Sequence, residues 1–285
     1  MKKKVLLIGS AGMAGQVIKN ELLNYSDSIE VLDIARNSNI SVPSFLLDIT
    51  NFSEVENIIL SGNFDYIINC VGILNKSAEE NPDLAILINS YFPHFLESLT
   101  SKLNTKIIHI STDCVFSGTK GGYIESDFRD GKGFYAQSKA LGELWNDKDL
   151  TIRTSIIGPD KNFNGIGLFN WFVKQKGQVN GFANAFWSGV TTVQLAEVIL
   201  KIILGEMNFA GLVHLTNNSK ISKFQLLNLI KEVFQLDGIE VKECKDYRVD
   251  KSFLNSNLEV LNLSISYKEM IVEMYEWMKL NHYNY

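Results

Sequence analysis

The sequence predicts an α/β fold, a parallel sheet doubly wound with helices and followed by a smaller, mostly helical part. Three observations carry this. Through residues 1–160 short β-branched runs alternate with amphipathic stretches. The gaps between successive runs leave the dozen or more residues that parallel neighbours need to cross over. Beyond Gly158 the texture changes to Gly- and Asn-rich segments carrying several aromatics. The expected division is a first domain over 1–158 and a cap over 159–285, with a return of the chain to the first domain left open.

The elements follow in order. Lys4–Ile8 reads as a buried strand, and Ala14–Asn24 as a helix, with Val17, Ile18, Leu22 and Leu23 on one face. Ile29–Ala35 is a second strand. Ser53 is the expected N-cap of a helix over Glu54–Leu60. Tyr66–Val71 is a third strand, Asp83–Leu103 a long helix, Lys106–Ser111 a fourth strand, Tyr135–Asn146 a helix and Thr151–Ile157 a strand. In the cap, helices are expected over Leu168–Lys176, Thr192–Leu204, Lys223–Phe234 and Tyr267–Lys279, with a short strand at Leu212–Leu215. Asp160–Gly167 and Gly177–Gly189 read as loops. There is no repeat and no low-complexity linker.

Composition excludes several classes. The 285 residues are 46% hydrophobic and 21% charged, as in a soluble globular protein with a sizeable core. A net charge of −5 without any run of five like charges does not support nucleic-acid binding. Cys70, Cys114 and Cys244 show no pairing or ligand spacing, which suits free thiols in a reducing compartment. The start resembles a signal peptide in its lysines and small residues. Its apolar run, Val5–Ile8, is too short for one, and no membrane-length apolar run exists. A cytoplasmic protein that binds no membrane is the expectation.

Gly9, Gly12 and Gly15 form GxxGxxG between a strand and a helix. Such a loop turns tightly, lets backbone approach a pyrophosphate, and offers it the free N–H groups of the helix start. With strand and helix both present, the loop and its Met13 are read as the cofactor site of a Rossmann-type dinucleotide-binding domain. The tip of the second strand selects the cofactor. Asp33 lies about where an acid would bind a ribose, whereas Arg36 would accept a 2′-phosphate. NADPH is favoured and NADH stays open. Asp48, with Ile49 beside it, has two readings, a neighbour of the adenine or an acid at a helix start.

Tyr135 and Lys139 form a YxxxK pair, and Ser111-Thr112-Asp113 ends a strand upstream. A ketone that accepts a hydride must also gain a proton at oxygen. A tyrosine supplies it most readily when a cation lowers its pKa, and i,i+4 spacing puts Lys139 on the face of Tyr135. A strand-end hydroxyl would orient the ketone oxygen. Thr112 is preferred over Ser111, since alternation lets only one face the cofactor. Thr112, Tyr135 and Lys139 are therefore the candidate catalytic residues, with Lys139 also a candidate ribose contact.

With these residues in place, the chain resembles the dTDP-4-dehydrorhamnose reductases, a branch of the extended short-chain dehydrogenases. The resemblance rests on the glycine loop, Leu47-Asp48-Ile49-Thr50, Asn69-Cys70-Val71-Gly72, Asn89, Ser111 to Gly118, Tyr135 to Lys139 and Arg153-Thr154-Ser155. It covers about the first 160 residues well, and STDxVFxG is its most specific part. It implies NADPH-dependent reduction of a nucleotide-linked 4-keto-6-deoxyhexose for cell-surface polysaccharide synthesis. It also implies that Cys70, Val71, Gly72 and Asn89 lie along the cofactor, with Arg36 at its 2′-phosphate. Cys114, Val115, Phe116 and Ile156 fall on the substrate side. Cys114 replaces the family's usual tyrosine and Ile156 its frequent tryptophan, so the pocket is expected to be roomier. A UDP-linked 4-keto-6-deoxy-N-acetylhexosamine is then an alternative substrate.

Asn162, Asn164, Phe169, Trp171, Phe182, Phe186 and Trp187 form an Asn/aromatic cluster in the cap. Asn162 and Trp187 are the candidates for substrate contact, while Phe169 and Phe172 are expected to pack. His94, His109, His214 and His282 show no ligand spacing and are read as structural. No metal site is assembled, and Mg²⁺ at an interface stays open, as does a homodimer. The competing readings are an epimerase or dehydratase with tightly bound NAD, and a cofactor-binding regulatory subunit without catalysis.

Overall fold

The computed structural model describes residues 2–162, 165–256 and 263–283. Strand β1 (Lys3–Ile8) leads into α1 (Met13–Leu23), β2 (Ile29–Ala35), β3 (Phe45–Leu46), α2 (Phe52–Gly62) and β4 (Tyr66–Asn69). Then come α3 (Asn75–Glu80), α4 (Pro82–Ala85), a π-helical turn over Ile86–Tyr91, and α5 (Phe92–Thr100). Next are β5 (Lys106–Thr112), α6 (Gly133–Leu141), β6 (Leu150–Thr154) and β7 (Ile156–Ile157). The remainder comprises α7 (Leu168–Phe172), β8 (Gly177–Trp187), β9 (Val190–Thr191), α8 (Thr192–Leu204) and β10 (Gly211–His214). It ends with β11 (Ile221–Ser222), α9 (Lys223–Phe234), β12 (Ile239–Asp250) and α10 (Tyr267–Leu280).

Seven strands form one parallel sheet in the order β10-β6-β5-β4-β1-β2-β3. Strand alternation distributes the core between its two faces. Val5 and Leu7 pack with α1 and α8, whereas Leu6 and Ile8 pack with α2 and α5. The order reverses between β1 and β4, and a crevice opens beyond the carboxyl ends of the strands at such a switch point. The parallel, doubly wound sheet is the predicted fold class. None of the described helices is long and apolar enough to cross a membrane.

The second half departs from expectation in one respect and decides a point left open in another. The Gly- and Asn-rich stretch read as a loop is the eleven-residue strand β8, sandwiched between β11 and β12. Val179, Gly181, Ala185 and Trp187 are buried along it and Gln178, Asn180 and Phe182 exposed, an alternation that the glycines and asparagines obscured in the sequence. The chain also returns to the first layer, α8 packing on α1 and β10 extending the parallel sheet beside β6. Smaller shifts have local causes. Asn51, not Ser53, occupies the N-cap position of α2, and the Ser53 hydroxyl donates to the Asn51 side chain at 3.0 Å. The long helix expected over 83–103 starts at Pro82, ends at Thr100 and carries the π turn in its middle. Helix α6 stops at Leu141, and its C-cap Gly142 packs so closely that a Cβ there would lie 1.9 Å from the Asn89 carbonyl oxygen.

One ionic knot joins the strand ends. Arg153 on β6 is fully buried and donates to both oxygens of Glu143, at 2.8 and 2.7 Å. Glu143, just beyond α6, also accepts from the Ser111 hydroxyl at 2.7 Å and pairs with Arg129 at 3.1 Å. Arg153 donates to His214 Nε2 at 2.7 Å, while His214 Nδ1 donates to the Leu254 carbonyl. Its guanidinium lies 4.9 Å from the Phe116 ring centre. A buried pair of this kind is costly to break, because the surviving charge keeps its desolvation penalty. Arg153→Met should lower the unfolding free energy by about 3–5 kcal/mol in urea titration. A loss below about 1 kcal/mol would mean that Arg129 and Ser111 suffice to hold the carboxylate.

Candidate active site

The glycine loop is built by conformation and by close approach. Gly9 sits at φ +92°, a left-handed value that disfavours side chains, as β1 ends. A Cβ on Gly15 would stand 2.1 Å from the Gly9 carbonyl oxygen, so α1 starts this near β1 only with glycine there. Gly12 is the N-cap of α1 and supplies no side-chain cap, leaving first-turn N–H groups open towards the crevice. On the other side of the switch point Val71 abuts Gly9.

At the tip of β2 the two candidate cofactor selectors separate. Asp33 is buried, and its carboxylate accepts from Lys19 at 2.8 Å and from the Ser44 amide and hydroxyl at 3.0 Å each. Burial would raise its pKa, but these donors hold it below the usual carboxylate range. Arg36 is exposed just past the strand. Asp48 accepts from the Thr50 amide at 3.0 Å and hydroxyl at 2.8 Å. These bonds, the amide's first, keep its pKa low, and Arg36 adds to the effect. Asp48 thus closes a turn before α2, while Ile49 beside it is buried in the core.

A cleft of about 520 Å³ opens beyond the sheet. Gly12, Met13, Cys70, Val71, Gly72, Thr112, Cys114, Tyr135, Lys139, Ile156 and Asn162 all line it. Residues distant in sequence, in the glycine loop, at the β5 end and on α6, thus share one space. A second recess of about 350 Å³ adjoins it, lined by Asn75, Glu79, Cys114, Phe116, Ser117, Lys132, Tyr135, Ala136 and Lys251. Tyr135, Cys114 and Asn75 form the wall common to both.

Chemistry differs along this wall. The Thr112 hydroxyl donates to Asp113 Oδ1 and accepts from the Cys114 amide, both at 3.1 Å. Ser111 spends its hydroxyl on Glu143, which leaves Thr112 as the strand-end hydroxyl near the phenol. Burial, with a contribution from Cys114, pushes the Tyr135 phenol well above its ordinary pKa, and the Thr112 hydroxyl opposes this. The sequence-based expectation that Lys139 lowers Tyr135 is not met. Lys139 turns inward instead, donating to the Ile110 carbonyl at 2.7 Å with His109 Nε2 at 3.4 Å. Burial brings Lys139 itself down to about 8, against the pull of Glu143 and Cys70. The same burial pushes the Cys114 thiol up to about 11.

Other expected contacts lie elsewhere. Asn89 is fully buried behind the cleft. Its amide accepts from the Ile73 amide at 2.8 Å and donates to the Ile73 carbonyl at 2.9 Å and to Ser138 at 3.0 Å. It therefore ties the loop after Gly72 to α6 rather than lining the space. The π turn aims it there, and no residue pattern announces such a turn. Val115 packs in a small core with Phe116, Tyr123 and Phe253. Trp187 is buried against Tyr267 with Lys223 over its ring, away from both recesses. Phe169 and Phe172 pack in the core as expected, and Asn164 lies outside the described residues. The sequence reading missed Leu74, Asn75, Ser155, Asp160 and Gly167 on the cleft wall. Gln16 of α1 holds that far wall by donating to Asp160 at 3.0 Å and accepting from the Lys161 amide at 3.1 Å. Among the described residues no group of three or more His, Cys, Asp or Glu could hold a metal ion.

Comparisons with known proteins find relatives in sequence and in fold. The dTDP-4-dehydrorhamnose reductase of Mycobacterium tuberculosis (strain ATCC 25618 / H37Rv) is 29% identical over 191 residues, covering 62% of this chain and 61% of that protein. A spore coat polysaccharide biosynthesis protein of Bacillus subtilis (strain 168) is 25% identical over 236 residues, 80% of this chain and 78% of that one. The dTDP-4-dehydrorhamnose reductase of Bacillus anthracis str. Ames, solved in complex with NADP, shares the fold. Its TM-score is 0.81 at 24% identity, over 97% of this chain and 100% of that chain. The family model described as the RmlD substrate binding domain matches residues 3–280, and this chain belongs to that family.

Proposed function

We propose that the chain is an NADPH-dependent reductase of the 4-keto group of a nucleotide-activated 4-keto-6-deoxyhexose. The observation that carries this reading is the convergence of Thr112, Tyr135 and Lys139 on one cleft that also opens on the glycine loop. The names of the relatives support the substrate class, and that of the Bacillus subtilis protein supports polysaccharide synthesis as the destination of the product.

The residues present fit a dinucleotide. Gly12 and Met13 with the start of α1 would take the pyrophosphate, and Cys70 to Gly72 would lie along it. Arg36 would take the 2′-phosphate, since Asp33 is already engaged by Lys19 and Ser44, and the NADP-bound relative supports this choice. The chemistry a reduced nicotinamide supplies when bound is a hydride for the ketone carbon. The protein supplies the rest. Tyr135 keeps its proton at neutral pH and donates it from Oη to the ketone oxygen as that oxygen gains charge. The Thr112 hydroxyl, turning from Asp113, would donate a hydrogen bond to the same oxygen and hold it near the phenol. Lys139, one helical turn on and lining the same cleft, would bring its charge to the phenolate by turning from the Ile110 carbonyl. Burial of the phenol strengthens both effects.

The recess beside Cys114 favours a sugar with a bulky substituent, and two lysines, Lys132 and Lys251, line it. We infer that the UDP-linked 4-keto-6-deoxy-N-acetylhexosamine is accepted alongside the dTDP-linked sugar.

Tyr135→Phe should cut turnover by about 10²- to 10⁴-fold and leave NADPH binding unchanged. Retained turnover would assign the proton donor to another group. Arg36→Ala should weaken NADPH about 10- to 100-fold and spare NADH, measured by fluorescence titration. An unchanged ratio of the two affinities would place the 2′-phosphate away from β2. A third assay feeds a coupled 4,6-dehydratase with dTDP-glucose or UDP-N-acetylglucosamine and follows loss of NADPH absorbance. Oxidation is expected with both feeds. A response to the dTDP sugar alone would sink the acetamido assignment, and silence with both would refute the reductase.

A further inference from the structure

Behind the cleft, a chain of buried polar groups runs from β4 through β5 to Lys139. The Asn69 side chain is fully buried, and its Oδ1 accepts from the Val71 amide at 3.2 Å. This bond orients the amide, so that its NH₂ group faces His109 Nδ1 at 3.1 Å. An amide NH₂ can only donate, hence Nδ1 must accept. His109 is fully buried, and burial together with the charge of Lys139 holds its pKa well below the ordinary value, so the ring is neutral. A neutral imidazole whose Nδ1 accepts carries its proton on Nε2. That N–H points at Lys139 Nζ, 3.4 Å away.

The consequence is electrostatic. An ammonium has three donors and no lone pair, so it meets the Nε2–H donor to donor, whereas a neutral amine would accept from it. The groups facing Lys139 therefore divide. The Ile110 carbonyl, Glu143 and Cys70 favour the ammonium, burial disfavours it, and the Nε2–H of His109 stands against it at 3.4 Å. His94 acts on the far side of His109 and further discourages a charge on the ring. Glu143 is already taken up by Arg153, Arg129 and Ser111, which limits its pull.

We propose that His109, held in its Nε2–H tautomer by Asn69, is a positioning residue that sets the proton affinity of Lys139 and with it the alkaline limit of the reaction. The inference rests on the catalytic reading of Lys139 given above. Asn69 lies at the β4 end and His109 midway along β5, and both side chains project to the side from which α6 brings Lys139. The chain needs no solvent and no bound group to operate.

The test reads the tautomer directly and its effect separately. In a ¹⁵N-histidine-labelled protein, long-range ¹H–¹⁵N spectra should show His109 protonated at Nε2 and bare at Nδ1, with the signal assigned by its loss in His109→Gln. His214 gives an internal contrast, since it donates from Nδ1 to the Leu254 carbonyl and accepts Arg153 at Nε2. A His109 protonated at Nδ1 would overturn the proposal, whatever the enzyme's substrate proves to be. Asn69→Asp replaces the donor with an acceptor, which should flip His109 to Nδ1–H and turn the Nε2 lone pair towards Lys139. The alkaline limb of kcat against pH should then move up by about one unit or more. The added carboxylate alone would move the limb equally in His109→Leu/Asn69→Asp, so an equal shift there would also overturn the proposal. A shift that requires His109 supports it.

Discussion

The geometry of the site depends on the buried Glu143 carboxylate. It sits just past the end of α6 and gathers Arg153 from β6, Ser111 from β5 and Arg129 from the intervening loop. Tyr135 and Lys139 ride on α6, and Thr112 ends β5, so one carboxylate fixes the helix and the strand against each other. Glu143 follows Gly142, where no side chain could fit against the Asn89 backbone. Helix, π turn and sheet thus meet at a point that tolerates neither a Cβ nor an unpaired charge.

Burial governs protonation around the cleft. Burial raises the Tyr135 phenol and the Cys70 and Cys114 thiols, and lowers Lys139 and His109. All of these shifts favour neutral forms, as expected where water is excluded. The cleft therefore holds a protonated phenol and, bonded to the Ile110 carbonyl, an amine whose charge burial disfavours. Ser111 shows how narrowly roles are divided. Adjacent to Thr112 on the same strand, it turns its hydroxyl into the ionic knot, while Thr112 remains beside the phenol.

Much of this was legible in the order of residues. The glycine loop, the strand-end hydroxyls and the YxxxK pair each have a local geometric meaning, so spacing alone brought them into one hypothesis. Helices α8 and α9 were read to the residue because their apolar periodicity and their Thr191 and Ser222 caps are local signals. Strand β8 was hidden, since glycine and asparagine are poor strand formers and only its neighbours β11 and β12 make the conformation favourable. Asn89 was placed on the cofactor by resemblance, but a π turn directs it to Ile73 and Ser138.

The sequence by itself determined the parallel α/β layer and the glycine turn between β1 and α1, and it singled out Thr112, Tyr135 and Lys139, which the structure brings to one cleft, because these follow from periodicity and from spacings within one turn or strand. Tertiary structure alone decided which groups surround each of them. Lys139 faces His109 and the Ile110 carbonyl, Asp33 is consumed by Lys19 and Ser44, and Trp187 is packed away from the cleft. Each of these outcomes depends on contacts between distant segments and on burial, which set protonation and hydrogen bonding and leave no periodic trace in the chain.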